Sequence, residues 1–461
     1  MGVAGYNVIS SIFSFAAVAG IFALAYYMRN SNEYMAKVLN LNAYLLIFFV
    51  TLKLHFFTEN PVISNKVVGL ILVLFVTAIL LFLAIRKKYT VLAGLSLILI
   101  AVTAVLSDST HIMLTLAALL SIIGIIVFNK FGWIRLLSLS IFLVYSIILL
   151  WMFGNPFMGN QLLLITDPQF GIIYIFFAAA TFSLLALMPV KEGFYNSDNI
   201  IRSIVLNGIG FALIITLYII FFHNESYILP TGLIALYCLI YSIILKFRSK
   251  LEITAALYAL FGFVTLSVCI YGVYEFPRAY FLLSIQSLLV VSMAIWFRSR
   301  FIVIMNSILY VVLLLIYLTT FGSGNYENIS FSIVAIATAR ILNWKKERLI
   351  IRTELIRNFY LIAAFFMILY TLYHLIPSQY VSLSWTVAAL IYFLLSLILK
   401  NVKYRYMALG NMIAVALFLF IYDLARIELV YRVIALLFLA IISIGLSFYY
   451  VKKVKRSQNK D

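Results

Sequence analysis

The 22 residues Val67–Lys88 read VVGLILVLFVTAILLFLAIRKK. From Val67 to Ile85 nothing is charged, and Thr77 supplies the one polar side chain. At 1.5 Å per residue, a helix over that run measures about 28 Å. That is close to the roughly 30 Å hydrocarbon core of a bilayer. Backbone amides in lipid must find partners within their own segment, which a helix provides. The ten-residue alternation of a barrel strand is absent. The run therefore predicts a membrane-spanning helix, and Arg86, Lys87 and Lys88 close it with a basic turn.

The same unit recurs along the chain. Candidate spans fall at 6–28, 38–57, 67–85, 90–106, 111–128, 133–152, 169–190, 199–222, 226–246, 251–273, 277–297, 301–320, 327–343, 355–376, 379–399, 404–424 and 428–451. The expected fold is all-α: a polytopic transmembrane protein of about 17 spans, built from repeated antiparallel helix hairpins within one domain over 1–461. Composition agrees, with 66% hydrophobic and 10% charged residues among 461. A soluble domain carries about a quarter charged. No basic residue precedes Arg29. The first run therefore lacks the charged start of a signal peptide and reads as a retained span.

The loops set the expected orientation. Of 33 Lys and Arg residues, only Lys53, Lys66, Arg278, Arg426 and Arg432 fall on one side; all others lie on the opposite side. Acidic residues split almost evenly. Lys and Arg alone follow the rule that basic loops stay cytoplasmic. The expected location is thus a bacterial cytoplasmic (inner) membrane, with the N-terminus outside and the C-terminus inside. Pro61, Pro156, Pro168, Pro230, Pro277 and Pro377 lie on the outer side, several opening a span, where a missing N–H costs nothing. The net charge of +18 is scattered through short turns rather than gathered on one face. It implies attraction to anionic lipid, not nucleic-acid binding.

An echo runs through three spans. Arg202, Arg300 and Arg405 precede Asn207, Asn306 and Asn411, and Tyr218, Tyr317 and Tyr422 each follow their Asn by eleven residues. Eleven residues are about three helical turns, so each pair shares a face. The Asn can hydrogen-bond across to a neighbouring helix. The Tyr is expected at the outer interface. These faces serve either as helix-to-helix contacts or as the lining of one cavity. The spacing suggests repeat units of about four helices, such as 169–273, 277–376 and 379–451.

The last two spans carry Arg405, Ala408 and Leu409, then an apolar run to Tyr422-Asp423-Leu424. Tyr431-Arg432 opens a final apolar helix ending at Tyr449-Tyr450 before Lys452. This resembles the C-terminal signature of a bacterial family of predicted many-span membrane proteins, designated a domain of unknown function. The resemblance covers roughly 50 residues. It implies a membrane fold and location, and no activity.

Several clusters are candidates for chemistry. Asp423, Arg426, Glu428 and Arg432 bring four charges to one short outer turn. They fit an ion-pair clasp on the final hairpin, or a pocket for an anionic or sugar-like headgroup. Lys53 and His55 reach in from the same side, either snorkelling to outer headgroups or adding a phosphate contact. His55, His111, His223 and His374 all lie at the outer boundary, three of them near Glu59, Asp108 and Glu225. They read as polar caps or as a metal or acid–base site without a ligand motif. The segment Asn343–Glu354 mixes Trp344 and Leu349 with Lys345, Lys346, Arg348 and Arg352, as an interfacial helix would. Cys238 and Cys269 sit in apolar runs as packing thiols.

Cofactors are expected to be none. The chain has no Gly-rich phosphate loop, no metal-type Cys spacing and no His pair for haem. No ionisable residue lies mid-span, as a proton- or sodium-coupled transporter would need. Expected partners are membrane lipids and other membrane proteins. Three functions fit. The first is binding or translocation of an amphipathic envelope molecule, a lipid or lipid-linked sugar, through a polar outer-leaflet pocket. The second is a scaffold subunit of a membrane complex, and the third an intramembrane enzyme at the outer interface.

Overall fold

A computed structural model describes residues 3–56, 61–165, 168, 170–188, 197–248, 252–320, 325–344, 353–419, 430, 433–434 and 436–445. Among these the chain is helical and has no strand. The helices are α1 (Val3–Met28), α2 (Glu33–Lys53), α3 (Lys66–Arg86), α4 (Thr90–Ser107), α5 (Thr110–Phe131), α6 (Ile134–Met152), α7 (Gly171–Ser183), α8 (Ser197–Phe222) and α9 (Ile228–Arg248). They continue with α10 (Glu252–Tyr274), α11 (Ala279–Trp296), α12 (Arg300–Thr320), α13 (Asn325–Trp344), α14 (Thr353–Leu375), α15 (Val381–Ile398) and α16 (Val402–Phe418), then a short α17 (Leu436–Gly445). Thirteen of the described helices are long and apolar enough to cross a membrane. This is an integral, multi-pass membrane protein.

The hairpin turns follow from residue chemistry. Asn32, Asn65 and Asn401 cap α2, α3 and α16, each side chain accepting a backbone N–H one or two positions into its helix. At three basic turns, Lys88, Arg298 and Lys400 adopt a left-handed backbone, with φ of 51°, 56° and 49°. The next amide then bonds back five residues: Tyr89 to Ala84, Ser299 to Ala294 and Asn401 to Ser396. This closes the last carbonyls of α3, α11 and α15 in the same way. The left-handed backbone costs about 1–2 kcal/mol at a non-glycine residue.

The chain forms two compact units, Met1–Phe261 and Gly262–Asp461, dividing within α10. In the first, small residues let helices approach. An added Cβ at Gly124 would sit 2.4 Å from the Ser140 hydroxyl, where α5 meets α6. One at Gly210 would sit 2.4 Å from the Tyr145 ring, where α6 meets α8. Membrane helices pack through such positions because lipid offers them no hydrophobic drive to associate. In the second unit the core is aromatic. Tyr280, Tyr310, Tyr317, Phe331 and Tyr360 stack or cross edge to face between α11, α12, α13 and α14. Serine and threonine hydroxyls inside both units mostly bond the carbonyl three or four residues back, so they are satisfied within their own helix.

Candidate functional site

Each of the three asparagines singled out by spacing reaches a preceding helix. Asn207 accepts from the Tyr145 hydroxyl at 2.7 Å and donates to Ala179 O at 3.4 Å. Asn306 donates to Ser287 Oγ at 2.9 Å, and Asn411 donates to Trp385 O at 2.9 Å. Tyr218 and Tyr317 are buried within the helix packing, at 1% and 0% exposure. The Tyr317 hydroxyl donates to Asn328 Oδ1 at 3.0 Å. Tyr422 lies outside the described residues. These faces hold helices together, and the three asparagines do not share one neighbour.

Several of the polar groups expected at the outer boundary have partners within the protein. Lys53 Nζ donates to Ser10 Oγ at 3.1 Å, and His55 Nδ1 lies 2.6 Å from Ile63 O. Asp423, Arg426, Glu428 and Arg432 fall outside the described residues, as do Glu59 and residues 345–352 of the expected interfacial helix. The Asp108 carboxylate accepts from Asn155 at 2.8 Å and from Asn160 at 3.1 Å. His223 bonds Ser226, and His374 packs against Tyr370 and Tyr373. Among the described residues no three His, Cys, Asp or Glu side chains group closely enough to hold a metal ion.

A different place in the second unit has the form of a binding site. Between α14 and α16 lies a cavity of about 510 Å³. That size falls in the range of small-molecule pockets. Leu361 and Met407 are buried along it, Phe365 is half-buried, and Ile362, Phe366 and Tyr406 stand exposed. Gly410 leaves room on the α16 side, since an added Cβ there would touch only the Phe365 ring, at 3.6 Å.

One end of this groove is cationic. Lys403 lines it and donates to Asn358 Oδ1 at 2.5 Å. Lys403 Nζ also lies 3.5 Å from Glu354 Oε1, which in turn lies 3.3 Å from an Arg357 terminal nitrogen. The other terminal nitrogen of Arg357 donates to Asn343 Oδ1. Arg357 is 7% exposed, whereas the Glu354 carboxylate stands largely in the open. At this end Arg357 and Lys403 share a single described acid, Glu354.

No family model, curated protein or solved structure matches this chain.

The residues of the groove were not singled out by the sequence. Lys403 and the nearby Arg357 read there as orienting charge. A signal was present in spacing. Asn358, Leu361, Ile362, Phe365 and Phe366 form one helical stripe on α14, and Lys403, Tyr406, Met407 and Gly410 form another on α16. Each stripe opens with a polar residue and continues apolar.

Proposed function

We propose that this protein binds an amphipathic envelope molecule, a lipid or lipid-linked sugar, with its hydrocarbon in the groove between α14 and α16. The observation that carries this reading is the pairing of an apolar trough with the Lys403–Asn358 end. Hydrocarbon gains little by moving from lipid into an apolar groove. Selection must therefore come from fit and from the polar end.

In this proposal the chain crosses a bacterial cytoplasmic membrane about 17 times, with its N-terminus outside. The turns after α13 and α15 then face the cytoplasm, because both are rich in Lys and Arg. The groove's cationic end meets the inner leaflet, whose surface is negative. The charged cluster at Asp423–Arg432 is then an outer counterpart, proposed from sequence alone.

The test is cross-linking with a lipid carrying a photoreactive group on its acyl chain, in membranes holding the full-length protein. Adducts are expected on Phe365, Tyr406 or Met407. Adducts spread evenly over lipid-facing residues such as Ile71, Phe82 and Phe142 would contradict a selective groove.

A further inference from the structure

Resting on the amphiphile reading, we infer that the bound molecule carries a phosphate-type anionic head, held at the basic end of α14–α16 by Arg357, Tyr392 and Ser396. The observation is an excess of buried donors. Among the described residues, eight buried side-chain polar atoms have no hydrogen-bond partner. Five of them belong to α14, α15 and α16: Arg357 Nε, Tyr392 OH, Ser396 Oγ, Arg405 Nε and Asn411 Oδ1. All but the last can donate. Arg357, Tyr392 and Ser396 are more than nine-tenths buried.

Buried polar groups nearly always find partners, so such a cluster calls for an explanation. A missing acceptor explains it. A phosphate offers several acceptor oxygens and takes charge-assisted bonds from guanidinium groups, which no neutral head does as well. These donors come from α14 and α15, which pack against each other. Tyr392 and Ser396 lie one turn apart on one face of α15, near its basic turn. Tyr404 of α16 is within electrostatic reach of Tyr392, and also of Arg340 and Arg357. Glu354 ties this cluster to the groove, since its carboxylate touches both Arg357 and Lys403. That carboxylate is exposed and lies on one terminal nitrogen of Arg357 while Asn343 takes the other, so Nε is left for a ligand.

The occupant is an anionic glycerophospholipid. Charge complementarity and the adjoining apolar trough favour it over a free anion, which would not need the groove.

The experiment uses the full-length protein in mild detergent, with native mass spectrometry of lipid adducts. Phosphatidylglycerol is compared with diacylglycerol, and inorganic phosphate is added alone. Phosphatidylglycerol is expected to bind about tenfold tighter than diacylglycerol, the effect of one charged hydrogen bond. The double variant Tyr392→Phe with Ser396→Ala should reduce that preference several-fold while still binding diacylglycerol. These hydroxyls have no protein partner, so the variant should fold. Lys403→Gln, at the groove's partly exposed end, is a second variant expected to weaken phosphatidylglycerol several-fold.

Equal binding of the two lipids would overturn the phosphate assignment and leave the amphiphile reading intact. A preference unchanged in both variants would overturn the residue assignment. Inorganic phosphate competing as well as phosphatidylglycerol would make this a free-anion site and overturn the lipid occupant. If neither lipid bound, the amphiphile reading itself would fall.

Discussion

Tyr258 and Tyr392 are both buried tyrosines with serines nearby in apolar helix packing, and their hydroxyls meet opposite fates. In the first unit the Tyr258 hydroxyl donates to Ser183 Oγ at 2.7 Å, and Tyr241 donates to Ser183 O at 2.6 Å. Ser183 itself donates to Ala179 O at 2.8 Å. Every group in that knot is used. In the second unit Tyr392 OH and Ser396 Oγ have no partner, and two arginine nitrogens share that condition. A buried hydrogen bond contributes about 1 kcal/mol, but a buried donor left unmade costs about 1–3 kcal/mol. A satisfied cluster is thus a structural joint. An unsatisfied one is a cost that a ligand can offset.

The comparison can be broken from either side. The largest effect is expected at Gly210→Leu, which drives side-chain bulk into the Tyr145 ring and disturbs its bond to Asn207. Overpacking of this kind costs about 1–3 kcal/mol. It should appear as a lower unfolding midpoint in mixed micelles, and no change there would mean that α6 and α8 do not depend on this approach. Next comes Tyr258→Phe, which removes the donor to Ser183 and should cost about 1 kcal/mol. Asn306→Leu should cost about 0.6–1.7 kcal/mol through its bonds to Ser287, measured the same way. The smallest change is expected at Tyr392→Phe without lipid, within about 0.5 kcal/mol of the parent chain and tending to stabilise. A loss as large as that of Tyr258→Phe would show that Tyr392 has a protein partner after all, and the contrast would vanish.

The fold was largely legible in sequence. The run Val67–Lys88 became α3 with its basic turn, and the other apolar runs each contain a described helix. Even α13 was legible, despite burying Glu327, Asn328, Ser330 and Ser332. Length and charge placement decide such elements locally. The three asparagines were legible as interhelical contacts because an amide in lipid has few other uses. Tyr218 and Tyr317 show the limit. Their spacing fixed a face but not what covers that face, and both are buried. The groove was not legible because it depends on two helices separated in sequence by α15. Which stripe of α14 comes to lie near which stripe of α16 is a matter of packing. The same holds for Arg357, whose cytoplasmic-type position hid its burial.

The most direct measurement is electron cryo-microscopy of the full chain in nanodiscs rich in phosphatidylglycerol. The account predicts head density within about 3 Å of Arg357 Nε and the Tyr392 hydroxyl, continuing as acyl density between α14 and α16. A groove without lipid, or Arg357 Nε and Tyr392 bonded to other protein groups, would contradict it.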